Sequence, residues 1–239
     1  MMRRNTFLRL SIALNLLLLG GVGLTIYKLG GIRYVLYLIE NKGTGLAAQK
    51  SHRHALFSVL PRKDSTIIML GNSIFAGCEW AELLQNHFVI NRGTVGDTSD
   101  DILERTDNVS NLKPRKVFLL IGVNDLLFNT PQYISDNIVK ITQKIKQNSP
   151  ETNVIVLSVL PIHQQLKTQY VQNKDILTLN LLLEIKLNHR TELGVRFLNI
   201  YHHFSYPNQN ELRQELSKDG IHLNEKGYLI LKELLKPIL

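Results

Sequence analysis

Apolar positions along the 239-residue chain follow two different patterns. From Leu10 to Tyr27 the run LSIALNLLLLGGVGLTIY carries no charge, and Arg3, Arg4 and Arg9 precede it. As a helix it would be about 27 Å long, close to the hydrocarbon thickness of a bilayer. A positive flank before an apolar run is the shape of a signal peptide or signal anchor. No A-x-A-like site closely follows the run, since Ala47-Ala48 lies well downstream. The run is therefore read as an uncleaved anchor with its N-terminus inside and the rest of the chain extracytoplasmic, in a periplasm or at the cell surface. Lys28 and Arg33 sit just past the run and keep the charge asymmetry small.

Beyond residue 64 the second pattern sets in. Short apolar runs alternate with longer amphipathic stretches, which predicts βα units and a parallel sheet. Strands are expected at Thr66–Leu70, Phe88–Asn91, Val117–Ile121, Val154–Ser158 and Arg196–Ile200. Most are apolar on both faces, as strands covered on both sides should be. Helices are expected at Ile74–Gln85, Thr98–Asp107, Gln132–Gln147, Gln169–His189, Glu211–Leu216 and Glu225–Leu235, with Asn224 capping the last. The chain then divides into an anchor over residues 1–29, a basic connector over 30–60 and a catalytic domain over 61–239. Within the connector, Ile32, Val35, Leu36 and Ile39 form a stripe that predicts an amphipathic helix over Arg33–Asn41, lying on the membrane. Lys42 to Lys50 reads as a loop, and Ser51 to Leu60 as a helix packing on the following domain.

Charge changes the picture in one respect. The net charge of +8 suggests nucleic acid, but residues 1–63 hold ten Lys/Arg against one acid, Glu40, and the remainder holds eighteen against nineteen. The basic excess thus lies beside the apolar run, where it suits anionic lipid head groups. No nucleic-acid partner is expected. A single cysteine, Cys78, rules out an internal disulfide and a multi-cysteine metal site.

Four polar stretches fall at strand ends or just before helices: Gly71-Asn72-Ser73, Asn91 to Thr98, Gly122-Val123-Asn124-Asp125 and Asp219-Gly220-Ile221-His222. Together they hold what acyl transfer needs. A serine hydroxyl requires a base, usually His, and that His requires a carboxylate at its other ring nitrogen. Asp219 and His222 are close enough for one turn to carry both. An oxyanion needs donors fixed in advance. The Ser73 N–H, the Gly93 N–H and the Asn124 side-chain amide are candidates. Asp97, Asp100 and Asp101 read as caps for the helix near Thr98, and Asp125 as a brace for the Asn124 loop. Glu79 and Trp80, just past the serine, are candidates to touch a sugar or acyl group. Leu126, Leu160 and His163 are candidates to line the pocket.

These blocks, with Ser73, Gly93, Asn124 and His222 in order, resemble those of the SGNH (GDSL) hydrolase superfamily, with a flavour of the compact acetylhydrolases and bacterial carbohydrate O-acetylesterases. The resemblance spans residues 67 to 228. It implies an α/β fold, a flavodoxin-like three-layer α/β/α sandwich. It also implies ester hydrolysis through an acyl-serine, with Ser73, Asp219 and His222 as the triad, no metal and no organic cofactor. The expected substrate is a short-chain, above all acetyl, ester of a carbohydrate or lipid. An envelope polysaccharide O-acyltransferase with the same triad, and a non-catalytic glycan-binding domain, are the alternatives. The departure is Asn72, where the family usually has Asp.

Overall fold

The computed structural model describes residues 2–28, 44–60, 65–163, 171–188, 194–207 and 209–239. The amphipathic helix expected over Arg33–Asn41 lies outside them. The chain forms two compact units, Met1–Gln49 and Lys50–Leu239. In the first, helix α1 (Met2–Lys28) contains the stretch Arg9–Ile26, long and apolar enough to cross a membrane, with its side chains exposed. It is the one such helix among the described residues. Helix α2 (Thr44–Val59) begins earlier than the sequence suggests. Leu46, Ala47, Ala48, Gln49 and Lys50 are good helix formers and outweigh Gly45, so most of the expected loop over 42–50 is helical.

The second unit is built on five parallel strands: β1 (Ile67–Gly71), β2 (Val89–Gly93), β3 (Lys116–Leu120), β4 (Asn153–Leu157) and β5 (Val195–Leu198). Their order is β2-β1-β3-β4-β5, the doubly wound order of flavodoxin-like sheets. Successive residues on a strand point to opposite faces, and the core divides accordingly. Ile68, Leu70, Val117, Leu119, Val154 and Val156 pack against α5 (Ser99–Glu104), α6 (Thr106–Ser110), α7 (Pro131–Asn148) and α8 (Asn173–Leu187). Ile67, Met69, Phe118, Leu120, Ile155 and Leu157 pack against α3 (Ser73–Ala76), α4 (Trp80–Leu83) and α9 (Glu225–Leu235). The result is a three-layer α/β/α sandwich.

Local chemistry explains the boundaries. Helix α7 starts at the Thr130 cap with Pro131 in its first turn, and Ile134, Ile138, Ile141 and Ile145 form its buried stripe. The Thr98–Asp101 capping box starts α5, and Asn224 caps α9 through its side-chain oxygen. The single helix expected over Ile74–Gln85 is instead two short ones. Asn91 Nδ2 bonds the carbonyls of Phe75 and Cys78, at 2.8 and 3.0 Å, and Trp80 Nε1 also bonds the Phe75 carbonyl at 2.8 Å. Side chains from elsewhere thus satisfy the carbonyls that continuing the helix would have used. The helix expected at Glu211–Leu216 is a single 3-10 turn, Gln214–Leu216.

Strand β2 approaches α3 so closely that Gly93 has no room for a side chain. A Cβ there would stand 2.3 Å from the Ala76 nitrogen and 2.7 Å from the Phe75 carbonyl carbon. Both are backbone atoms and cannot swing aside. Gly93→Ala is expected to cost about 1–3 kcal/mol or more, as overpacking does. Urea unfolding measures this directly, and an unchanged midpoint would mean the two elements slide apart freely.

Candidate active site

Strand β1 lies where the winding of the sheet reverses, with β2 on one side and β3 on the other. The crevice beyond the strands' C-terminal ends at such a point is the usual ligand site of open α/β sheets. Ser73 stands there, on the turn that leaves β1. Two backbone bonds tie this turn to its neighbours, Thr94 N–H to the Gly71 carbonyl at 2.9 Å and Asn72 N–H to the Leu120 carbonyl at 3.4 Å. The Asn72 Oδ1 accepts the Ile74 N–H at 3.0 Å, a task that Asp or Asn can perform equally. Its Nδ2 is buried, with no partner among the described residues.

The C-terminal segment brings the other groups. His222 Nε2 is 2.9 Å from Ser73 Oγ, and His222 Nδ1 is 2.6 Å from Asp219 Oδ2. Asp219 Oδ1 accepts the Ile221 and His222 N–H groups, at 3.0 and 2.8 Å, so the carboxylate is fixed by its own turn. Partial burial pushes the Asp219 carboxyl up, but the His222 ring and these N–H groups outweigh it and hold it well below the usual carboxylate range. Ionised at Asp219, the pair fixes the His222 proton on Nδ1 and leaves Nε2 to accept the Ser73 hydroxyl proton. The turn is anchored in turn by Ser217 Oγ, which donates to the His222 carbonyl at 2.6 Å, and by the His163 N–H, which donates to the Gly220 carbonyl at 2.8 Å. Tyr228 of α9 donates its hydroxyl to the Ile74 carbonyl at 2.9 Å, which links the serine turn to the helix following His222.

The oxyanion donors need one correction. The Gly93 N–H, expected to be free, donates to Asn91 Oδ1 at 2.8 Å. Gly96, three residues on, has φ +76° and no hydrogen-bond partner for its N–H among the described residues. The Ser73 N–H is likewise free of a partner there. Asn124 Nδ2 donates one hydrogen to the Asp97 carbonyl at 2.8 Å and keeps the other. Asp125 is fully buried, and its Oδ1 accepts both the Ser99 N–H and Ser99 Oγ, at 2.7 and 2.5 Å. It ties the loop after β3 to the start of α5.

The outer residues divide. Trp80 is 1 % exposed, edge-on to Phe75 and Tyr228, and belongs to the core rather than to a sugar platform. Glu79 is exposed and makes no bond to the triad. Leu126 is half-buried against the core. Leu160 lines an apolar slot with Asn72, Ile74, Val123, Val159 and Ile221, the residues flanking Ser73 and His222 among them. Its accessible volume is about 10 Å³, room for one water-sized group. A wider cleft of about 420 Å³, lined by Lys116, Asn153 and Arg196, lies at the opposite ends of the strands, far from the serine. Burial and the nearby Glu79 push the Cys78 thiol up to about 11, which removes it as a rival nucleophile.

Comparison with known proteins bears on the family and the fold. The model of the GDSL-like lipase/acylhydrolase family matches residues 69–230. Human platelet-activating factor acetylhydrolase IB subunit alpha2 is 30 % identical over 105 residues, a match covering 41 % of this chain and 45 % of that one. The chain thus spans about half the length of the curated relatives it matches. A solved GDSL-like lipase from Bacteroides thetaiotaomicron superposes with TM-score 0.66 at 25 % identity, covering 80 % of this chain and 96 % of that one. The lipase/acylhydrolase from Enterococcus faecalis shares the fold, with TM-score 0.59 at 23 % identity over 72 % of this chain and 93 % of its own. With the family model matching more than half of its length, the chain belongs to the GDSL-like lipase/acylhydrolase family.

Proposed function

We propose that the protein is a membrane-anchored serine esterase, facing the extracytoplasmic side, that removes a short acyl group from a carbohydrate or lipid ester. The observation that carries this reading is the unbroken chain of hydrogen bonds from Asp219 through His222 to Ser73. Ser73 Oγ attacks the ester carbonyl while its proton passes to His222 Nε2. The carbonyl electron pair moves onto oxygen, and the Ser73 N–H, the Gly96 N–H and the free Asn124 hydrogen receive it. The intermediate collapses, the ester C–O bond breaks, and His222 returns the proton to the leaving alcohol. Water then repeats the sequence on the acyl-serine and releases the acid.

A short acyl group is in keeping with the slot lined by Asn72, Ile74 and Ile221, the residues next to Ser73 and His222, whose accessible volume is about 10 Å³. The helix over Arg9–Ile26, following Arg3, Arg4 and Arg9, supports the anchor. The test is a series of p-nitrophenyl esters, from acetate to octanoate, with the full-length chain in detergent micelles. Acetate is expected to give the highest kcat/KM, falling about tenfold or more at the longer esters, as a pocket short of several methylenes requires. A rise with chain length would remove the short-acyl reading. No turnover, with no fluorophosphonate labelling of Ser73, would remove the esterase reading.

A further inference from the structure

The loop following β2 is gripped by a helix that the reaction just described does not use. Residues 50–59 of α2 belong to the same compact unit as the sheet. Arg53 Nε donates to the Gly93 carbonyl at 2.6 Å. Lys50 Nζ donates to the Gly96 carbonyl at 3.3 Å and to Asp101 Oδ2 at 2.7 Å. His54 Nε2 lies 3.2 Å from Asp97 Oδ1. Asp97 itself is fully buried and takes two further bonds from Arg105, through Nε at 3.0 Å and Nη2 at 2.8 Å. Phe57 fixes the helix against this cluster. It is 7 % exposed, with the guanidinium carbons of Arg53, Arg92 and Arg105 at 5.1, 4.8 and 5.5 Å from its ring centre.

These contacts fall on the stretch that presents the oxyanion donors. Gly96 carries one N–H, and the Asp97 carbonyl holds the Asn124 amide at 2.8 Å. The stretch has little to stiffen it from within. Its internal bond, Asp97 N–H to the Thr94 carbonyl, is 3.3 Å long, and Gly96 adds backbone freedom. Oxyanion donors accelerate a reaction only when they are held in place before the charge develops. Charge-assisted bonds to the Gly93 and Gly96 carbonyls supply that hold from outside.

We infer that Arg53 is a positioning residue for ester hydrolysis, acting with Lys50 through the 93–97 loop on the Gly96 N–H and the Asn124 amide. The helix ahead of the sheet is then part of the catalytic apparatus and more than a tether. This rests on the reading of those two groups as oxyanion donors. Lysine is a poor substitute at 53, because its ammonium lacks the planar fork whose Nε reaches the carbonyl.

The experiment compares the full-length chain with Arg53→Ala, Arg53→Gln, Asn124→Ala and the double variant Arg53→Ala/Asn124→Ala. Each is assayed with p-nitrophenyl acetate in micelles, beside its thermal midpoint. Arg53→Ala is expected to lower kcat by about 10–100-fold, the scale of a displaced catalytic group, with KM within about twofold of the parent. Arg53→Gln keeps a donor and is expected to recover part of the loss. In the Asn124→Ala background the effect of Arg53→Ala is expected to shrink at least about threefold, since a donor already removed needs no positioning. Parent kcat in Arg53→Ala, or the same loss in both backgrounds, overturns the inference. So does a loss that vanishes on cooling below the variant's thermal midpoint, which marks plain instability. Where Arg53→Ala does not fold, Arg53→Gln carries the same criteria alone and in the Asn124→Ala background. A parent chain with neither turnover nor fluorophosphonate labelling overturns the esterase reading and this inference together. A parent that turns over beside an unimpaired Arg53→Ala overturns this inference alone.

Discussion

Ser73→Ala is expected to lower kcat/KM for p-nitrophenyl acetate by about 10⁴–10⁶-fold and to abolish fluorophosphonate labelling, the scale on which loss of a serine nucleophile acts. Ser73 Oγ is the hydroxyl that the geometry pairs with His222 Nε2. The neighbouring hydroxyl on the next loop, Thr94, is 1 % exposed with no partner among the described residues, and the Cys78 thiol is held protonated. Neither replaces Ser73. The fold should survive, because the α3 cap belongs to Asn72 and the packing to Ile74 and Phe75. A variant that keeps more than about one per cent of activity, well above the residue left when such triads lose their serine, would place the nucleophile elsewhere.

Asp219→Asn is expected to cost about 10³–10⁴-fold in kcat, with substrate binding little changed. The asparagine oxygen can still accept the Ile221 and His222 N–H groups, so the turn should keep its shape. Its amide nitrogen then faces His222 Nδ1 and donates to it. The ring is forced into the tautomer with its proton on Nε2, pointing at Ser73, and no longer accepts the hydroxyl proton. The pH profile carries the same logic. With Asp219 ionised far below the usual carboxylate range, it should add no proton of its own to the acid limb of kcat/KM in the parent, whose slope should not exceed one. A slope of two would mean that Asp219 titrates on that limb. The lowered carboxyl also stabilises the fold, an effect present above the unfolded value of about 4 and lost as pH falls through the folded one. Asp219→Asn should therefore show a flatter loss of stability in acid.

The sheet was legible in the sequence because its strands are short, apolar and buried on both faces, and because each is followed by a helix. The groups at the strand ends were legible for a related reason: Ser73, Asn124, Asp219 and His222 all stand where a strand or loop meets a helix. What sequence could not convey is which donors are already spent. Gly93 reads as a donor until Asn91 Oδ1 is seen to take its N–H. Trp80 reads as a candidate to touch a sugar or acyl group until its indole is found buried and bonded to the Phe75 carbonyl. The break between α3 and α4 depends on Asn91 as well, a residue more than ten positions away. Arg53, Lys50 and Arg105 gave no signal as site residues, because their partners lie on other elements and only the folded chain brings them together.

The nucleophile and its base lie 149 positions apart in the chain. At ribosomal rates of about 5–20 residues per second, Ser73 is made about 7–30 s before His222. Throughout that interval the serine has no base and the nascent chain is inert. Helix α9 supplies the Tyr228 bond to the serine turn, so the serine stays without its base until residues 222–235 have been made and have docked on the sheet.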